Sequence, residues 1–416
     1  MLFAVFFTNL LSLACQVLWV RKLTFLFGST AGVFATVLAS FLLGLALGAL
    51  LAGRIVDRAL RPWRLLAGLL IALGVYCAAS LPVFDLARRV YLALFPQSLT
   101  PAAAASEKLA VVLVALLLPT MAIGAVFPVA VRLYRGSVAG LGGDLSLVYA
   151  LDTLGAAAGA LLAGFVFVPG LGLRLSTLLL GAAAVAVGLF LLRGGEALAL
   201  PATPAPPVTP AAPRQGKGKN KVPVPAPVAA PWQVDPRRVP LVLAVFFLTG
   251  LSALLLETGW NRFFYVLSGT NVYSLSVVLA GFLSGIGLGS LLVRRRIDRI
   301  RDPVATVAWL YAAIALGGVL VFRSAGLFER IYLGSFTTSD SYYGFEIQVY
   351  LAVFALVLAA ALAMGANFPL VAKIATPEGK REGKREGDGE RRGLGAGRAF
   401  FVNTLGAVLG AFLGEF

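Results

Sequence analysis

Histidine is absent from this chain of 416 residues, cysteine occurs only twice, and charged residues make up only 13% of the sequence. Because histidine is the commonest metal ligand and the only side chain that titrates unperturbed near neutral pH, we predict no metal site and no cofactor. Any proton transfer would then fall to a carboxylate. Cys15 and Cys77 both lie in apolar runs, where a thiol behaves as a small hydrophobe, so we expect no disulfide framework.

Apolar residues make up 59% of the chain, which is far too many for a water-soluble surface. A membrane span requires about 20 mostly apolar residues, and runs of this kind recur along nearly the whole sequence. We therefore predict an all-α integral membrane protein that presents its helices to lipid. The eleven predicted spans are residues 2–20, 30–52, 63–83, 109–131, 146–168, 171–192, 240–261, 271–293, 304–322, 347–372 and 398–414.

Basic residues give the chain a formal net charge of +16, but they lie in short clusters between the apolar runs. Cytoplasmic loops of membrane proteins are enriched in Lys and Arg, so this pattern indicates orientation and not nucleic-acid binding. If the central polar segment is placed inside, 26 of the 35 basic residues fall in cytoplasmic loops. We predict a multi-pass protein of the cell (inner) membrane with its N-terminus and central linker in the cytoplasm. Its partners would be the lipid bilayer and a small solute, with no nucleic acid.

Two polar segments divide the chain. Residues 196–236 are dense in Pro and Ala, carry three lysines and have no helical periodicity, so we predict a flexible cytoplasmic linker. Residues 376–395 alternate basic, acidic and glycine residues with almost no apolar side chain, which predicts a disordered charged loop. The predicted domains are an N-terminal bundle of six spans at 1–195 and a C-terminal bundle of five spans at 237–416.

The two bundles are copies of one unit. A shift of 241 positions aligns many identical residues between Trp19–Arg58 and Trp260–Arg299 without a gap, and the same shift places Phe127-Pro128 on Phe368-Pro369. Each half then starts and ends on the cytoplasmic side. We therefore predict two parallel six-helix-type repeats that resemble the major facilitator fold.

The second repeat lacks the counterpart of the sixth span. The sequence reaches Phe416 at the point where the first repeat continues into that span. An odd number of spans would place the C-terminus outside and leave one bundle face uncovered. We therefore expect a chain that is truncated at 416.

A charged motif stands at the cytoplasmic end of the second span. Gly53-Arg54-Ile55-Val56-Asp57-Arg58 resembles the Gly-x-x-x-Asp-Arg signature of the major facilitator superfamily, and Arg295-Arg296-Ile297-Asp298-Arg299 repeats it without the glycine. A carboxylate beside arginines at a helix end can latch a neighbouring helix, which suits a gate. The alternative is an ordinary basic turn that carries one acid. The predicted gate-loop residues are Arg54, Asp57, Arg58, Arg295, Asp298 and Arg299.

Glycines four residues apart recur in both halves. Small residues at this spacing let helix backbones approach closely in lipid, so we predict that these glycines serve packing. The pairs are Gly44 with Gly48, Gly155 with Gly159, Gly285 with Gly289, and Gly406 with Gly410.

Two carboxylates lie deep in predicted spans, where an ionisable residue is costly and usually faces a cavity or a partner. Glu257 has Gln16 as its repeat equivalent, and Asp152 has Asn403 at an offset of 251. Acids in a cavity between two bundles could bind a cation or carry a proton. The alternative is that Glu257 pairs with an arginine and braces the bundle. The predicted cavity residues are Glu257, Asp152, Gln16, Asn403, Arg21, Arg262, Trp19 and Trp260.

The order of these motifs resembles the membrane region of membrane-bound spermidine synthase-like proteins, which include fused facilitator-type transporters and synthases. The resemblance rests on Gln16-Val17-Leu18-Trp19-Val20-Arg21, on its second copy Glu257-Thr258-Gly259-Trp260-Asn261-Arg262, and on Asn403-Thr404-Leu405-Gly406-Ala407. It implies that an aminopropyltransferase domain or subunit, which would bind decarboxylated S-adenosylmethionine and a polyamine, accompanies such a region. That domain is not recognisable in this sequence, so we expect no aminopropyl transfer from these residues.

Two functions remain open. The first is a facilitator-like transporter of a small solute, which the resemblance implies is a polyamine or related cation, with Glu257 and Asp152 in a central cavity. The second is a non-transporting membrane module that anchors or feeds a spermidine synthase-like domain. The repeat favours transport, because substrate sites in such folds lie between the two bundles.

Overall fold

The described part of the chain consists of helices and short connections, with no strand among these residues. The computed structural model describes residues 2–28, 31–56, 59, 61–95, 100–134, 140–198, 236–268, 272–339, 341–375 and 392–414. The α-helices are α1 Leu2–Phe27, α2 Ala31–Ile55, α3 Pro62–Leu94, α4 Pro101–Leu133, α5 Gly140–Leu162, α6 Gly172–Leu198, α7 Val239–Ser268, α8 Val272–Arg294, α9 Pro303–Arg323, α10 Ala325–Thr338, α11 Tyr342–Ala375 and α12 Arg392–Leu413.

Several helices start where the sequence supplies a cap. The helices α3, α4 and α9 each start at a proline, whose missing N–H would be unpaired in the first turn in any case. Before α4, the Thr100 side chain accepts a hydrogen bond from the Ala103 N–H at 3.1 Å. Before α9, the Asp302 carboxylate accepts from the Val304 and Ala305 N–H groups at 3.1 and 3.0 Å. These contacts satisfy donors that a helix start otherwise leaves free.

All eleven predicted spans correspond to helices. Ten segments of the described chain are long and apolar enough to cross a membrane, and one of them, Gly142–Gly194, contains 53 residues. That segment reverses direction, because α5 continues as a π-helix over Ala163–Leu171 and ends at Gly172, which has a φ of 69°. The Ser176 hydroxyl donates to the Phe167 carbonyl at 3.0 Å, whereas residues nine apart in one helix would be roughly 13 Å apart. The long segment is therefore two spans, and the prediction of an all-α multi-pass membrane protein is confirmed.

The predicted polar segments are shorter than the sequence suggested. Helix α6 extends to Leu198 and α12 starts at Arg392, so residues 196–198 and 392–395 are helical. A span continues past its apolar run where it leaves the hydrocarbon layer for the polar headgroups, which tolerate charged and small residues. Residues 199–235 and 376–391, which hold most of the predicted linker and charged loop, lie outside the described residues.

The helix pairings repeat between the halves. Helix α1 packs along α5 and α2 along α4, and the second half repeats these pairs as α7 with α12 and α8 with α11. Within the first pair, Gly155 lies against the Phe6 carbonyl and Gly159 against Leu10. Residue numbers therefore rise together along both helices, so α1 and α5 run parallel. The two halves meet where α2 packs on α12 and α5 on α8.

The repeated glycines serve packing, as predicted. A Cβ on Gly48 would overlap the Met121 backbone, and a Cβ on Gly289 would overlap the Leu362 backbone. Both glycines therefore sit where two helix backbones touch. Close contacts of this kind stabilise helix pairs in lipid, where no hydrophobic force drives association.

One helix interrupts the symmetry. In the first half α3 is continuous over 33 residues, whereas the equivalent stretch of the second half breaks at Ser324 into α9 and the 14-residue α10. Helix α6 packs along α3, but among the described helices no counterpart of α6 packs along α9.

Candidate functional site: the interface between the two bundles

One end of the bundle carries a ring of basic residues. Arg54, Arg132, Arg294 and Lys373 stand in the last turns of α2, α4, α8 and α11. Cations at these positions complement the partial negative charge of a helix C-terminus. We call this end the basic face. Helices α1, α5, α7 and α12 start at it.

A mainly aromatic cluster fills the interface between the two bundles near the basic face. We call it the plug, and it belongs to the large core cluster that spans both halves. Its members lie within about nine residues of the helix ends, which is roughly 13 Å along a helix. The plug consists of Val5, Phe127, Tyr149, Phe246, Phe368 and Phe400.

The plug follows the internal repeat. The offsets of 241 and 251 relate Phe127 to Phe368 and Tyr149 to Phe400. Tyr149 stacks on Phe368 with ring centroids 4.0 Å apart, and its equivalent pair, Phe400 with Phe127, is stacked at 5.5 Å. The edge-to-face pairs also correspond, with Phe127–Tyr149 at 5.9 Å and Phe368–Phe400 at 6.0 Å. The plug therefore lies on the axis that relates the two bundles.

Asp298 ties the two halves together on the basic face. Its carboxylate accepts hydrogen bonds from the Gly142 N–H at 3.1 Å and the Gly143 N–H at 3.0 Å, both at the start of α5 in the other half. The Lys373 ammonium lies 2.6 Å from the same carboxylate. A helix N-terminus attracts negative charge, so the dipole of α5 strengthens this contact. We call Asp298, Gly142, Gly143 and Lys373 the latch.

Glycine is required beside the latch. Gly140 has a φ of 65°, which side chains of L-residues rarely adopt. A Cβ on Gly142 would lie 2.8 Å from a carboxylate oxygen of Asp298. The short glycine run at the start of α5 therefore lets the carboxylate reach the backbone directly.

Glu257 faces the interior and has no partner among the described residues. It follows Phe246 of the plug by eleven residues on α7, which returns it to almost the same helix face. The side chain is only 9% exposed, forms no hydrogen bond or ion pair with the described residues, and yet its oxygens are not fully enclosed. Its repeat equivalent, Gln16, is also buried. Among the described residues, no arginine pairs with Glu257.

Asp152 has a fixed partner. The Asn9 side-chain amide donates to its carboxylate at 2.6 Å, and the same amide donates to the Val5 carbonyl at 3.2 Å. In the second half, Gly250 and Asn403 occupy the equivalent positions, and a Cβ on Gly250 would overlap the Asn403 carbonyl. The first half thus holds an amide–carboxylate pair where the second half has a close backbone contact.

The two carboxylates lie at different levels. Tyr149 and Phe246 both pack on Phe368, so these rings mark one level. Asp152 follows Tyr149 by three residues and Glu257 follows Phe246 by eleven. At 1.5 Å per residue, the carboxylates are separated by roughly 12 Å along the bundle axis.

The remaining predicted residues lie elsewhere. Trp19 and Trp260 are enclosed in the cores of the two bundles, with 1% and 0% exposure, where they pack on aromatic rings instead of lining an open space. Arg21 and Arg262 are exposed, near the ends of α1 and α7 that lie opposite the basic face. Of the predicted gate-loop residues, Arg54, Arg295 and Arg299 are exposed, and Asp57 and Arg58 lie outside the described residues.

Sequence reasoning missed three parts of the site. Lys373 is the repeat equivalent of Arg132, and this equivalence could have marked both as latch partners. Tyr149 and Phe400 are likewise equivalent, so the repeat also contained the plug. For Asn9 the only signal in the sequence was a polar residue within an apolar helix.

Among the described residues, no group of three or more His, Cys, Asp or Glu is placed to hold a metal ion.

No family model and no curated protein matches the chain. Solved structures do match, over 99% of this chain. One is a bacterial homolog of the human lysosomal transporter Spinster in an inward-facing, unoccupied conformation, with 13% identity, a TM-score of 0.49 and 81% of that chain covered. Another is the POT family transporter PepTSo, with 14% identity, a TM-score of 0.38 and 89% of that chain covered. A third is an auto-inhibited POT family peptide transporter, with 15% identity, a TM-score of 0.39 and 88% of that chain covered.

Proposed function

We propose that this protein transports a small solute across the membrane by alternating access between its two bundles. One observation carries the proposal: Glu257 is a buried carboxylate without a partner among the described residues, on α7 eleven residues beyond Phe246 of the plug. The plug and the latch join the two bundles at the basic face. A carboxylate this deep in a bundle is costly unless it serves a cavity or a partner. A closed end that is held by a few breakable contacts is what an alternating gate requires.

The basic face is the cytoplasmic face in this proposal, because Lys and Arg accumulate on the cytoplasmic side of membrane proteins. The conformation is then closed to the cytoplasm. The two halves contact each other through α4 with α12 and through α5 with α11. Among the described helices, α1 and α7 make no contact of similar extent between the halves. Solute would enter from the outer side and leave after the plug and the latch open.

The solute class we propose is a polyamine or related cation. The family resemblance suggests it, and two features of the interface support it. Asp152 and Glu257 supply negative charge, and their separation of roughly 12 Å along the axis suits an extended chain with amines at both ends. The alternative function, a membrane module that anchors or feeds a synthase domain, requires neither an unpartnered acid nor a gate.

The test is uptake of labelled spermidine into proteoliposomes, compared between the natural sequence and Glu257→Gln. We expect uptake to fall about tenfold or more, because a contact with a charged group contributes about 1.5–3 kcal/mol. The matched control is Glu329→Gln, which makes the same change at an exposed position on α10 and should leave uptake intact.

Competition by unlabelled amines sharpens the test. If two carboxylates bind one solute, spermidine should compete better than 1,3-diaminopropane, which is too short to reach both levels. Equal competition by both amines would contradict the two-carboxylate arrangement. No uptake by well-folded natural protein would reject transport of this solute class and leave the anchoring function.

A further inference from the structure

Gln16 and Glu257 take equivalent places in the two halves. Val5 on α1 and Phe246 on α7 are members of the plug, and the offset of 241 relates them. Gln16 and Glu257 each follow the plug residue of their own helix by eleven positions. Eleven residues make about three helical turns, so each side chain returns to almost the same face of its helix. Both side chains therefore face the interface between the bundles, at one level beyond the plug.

Neither side chain has a partner among the described residues. Gln16 is 8% exposed and Glu257 is 9% exposed, and neither forms a hydrogen bond or an ion pair with these residues. Their polar side-chain atoms are nevertheless not fully enclosed. Because α1 and α7 do not pack along one another in the described structure, these atoms can reach the space between the two helices. An amide and a carboxylate inside a membrane bundle are costly unless they serve a cavity or a partner.

We propose that Gln16 and Glu257 form one binding subsite, which takes an ammonium group that carries N–H donors. This inference rests on the transport function proposed above and adds the residue that selects the amine. The Glu257 carboxylate supplies negative charge, which attracts any cation. The Gln16 side-chain oxygen is uncharged and contributes by accepting a hydrogen bond, so it favours primary and secondary amines over quaternary ammonium groups.

The amide also limits the charge of the subsite. Two carboxylates at one level would repel one another and would suit a divalent metal ion. One carboxylate beside one amide balances a single positive charge. Asp152 lies roughly 12 Å from Glu257 along the bundle axis, so it does not supply a second charge at this level. The subsite is therefore matched to one amine of the solute and not to a metal ion.

The first measurement compares the binding of 1,6-diaminohexane and hexamethonium to the purified protein, from the rise of the melting temperature with ligand concentration. The two compounds share chain length and charge, but hexamethonium has no N–H group. We expect Gln16→Leu to weaken the binding of 1,6-diaminohexane about threefold to tenfold, because one hydrogen bond is lost, and to leave the binding of hexamethonium unchanged. Glu257→Gln should weaken the binding of both compounds, and the exposed control Glu329→Gln should weaken neither.

The second measurement requires neither amine binding nor transport. With Cys15 and Cys77 replaced by alanine, Gln16→Cys is modified by a cationic and by an anionic methanethiosulfonate reagent. A nearby carboxylate concentrates the cationic reagent, so adding Glu257→Gln should lower the ratio of the cationic to the anionic rate several-fold. Adding Glu329→Gln should leave this ratio unchanged.

The outcomes separate this proposal from the transport function. The expected binding pattern without any uptake of spermidine would reject transport and support the subsite. Equal weakening of both compounds by Gln16→Leu, or no binding of either compound to the natural sequence, would overturn the subsite. So would a cysteine at position 16 that neither reagent modifies, or a rate ratio that Glu257→Gln does not change.

Discussion

At the scale of single residues, the two carboxylates inside the spans differ in their partners. Asp152 is held by Asn9 at 2.6 Å, whereas Glu257 forms no hydrogen bond or ion pair with the described residues. A buried charge that keeps its hydrogen bond costs far less than one that loses it. Asp152 therefore depends on Asn9, and Glu257 remains available to a ligand.

We predict that Asn9→Leu destabilises the protein by about 1–3 kcal/mol, because it leaves the Asp152 carboxylate without its amide donor. Asp152→Asn should be milder, since Asn403 occupies the equivalent position in the second half. The measurement is thermal unfolding in detergent. The double change Asn9→Leu with Asp152→Leu should recover much of the loss, since no polar group then stays unpaired. A double variant less stable than Asn9→Leu alone would show that the pair is not what stabilises this contact.

At the scale of helices, the repeated glycines decide which backbones touch. Gly48 of α2 lies against the Met121 backbone of α4, so the two helices would have to move apart if a side chain were added. Helix propensity alone would favour alanine at this position by about 1 kcal/mol. The close packing of two helices outweighs the preference of one.

We predict that Gly48→Ala lowers stability by about 1–3 kcal/mol, the typical cost of overpacking, because its Cβ would overlap the Met121 carbonyl. The matched control is Gly68→Ala in α3, where no heavy atom lies within 4 Å of the added Cβ. That variant should be neutral or more stable. Melting temperatures in detergent compare the two, and equal shifts would mean that the α2–α4 contact does not limit stability.

At the scale of the whole molecule, the latch and the plug hold the two bundles together at the basic face. The latch joins the loop after α8 to the start of α5, more than 150 residues away in sequence. Both contacts connect one bundle to the other, so they should limit how far the bundles separate at this end.

We predict that Asp298→Asn loosens the basic face, because it removes the ion pair with Lys373 and replaces one acceptor oxygen by a donor. Spin labels at the exposed positions Arg61 and Arg296, one in each half, would report longer and broader distances. The control is Asp302→Asn, which makes the same change at the cap of α9 in its own half, where asparagine caps a helix about as well as aspartate. Identical distance distributions in both variants would exclude the latch as a restraint.

The sequence by itself determined the class of protein, the spans and the two-fold repeat. These follow from local composition and from identities at one offset, such as Trp19 with Trp260, because a helix in lipid must satisfy its own backbone. It also identified the packing glycines, since glycines four residues apart predict a close contact between two helices. Only the tertiary structure decided that Asn9 meets Asp152, that Asp298 reaches Gly142, that Glu257 has no partner among the described residues, and that both tryptophans are enclosed. The reason is physical: those contacts join residues far apart in the chain, and the closure of the basic face depends on how two bundles pack, which no single helix encodes.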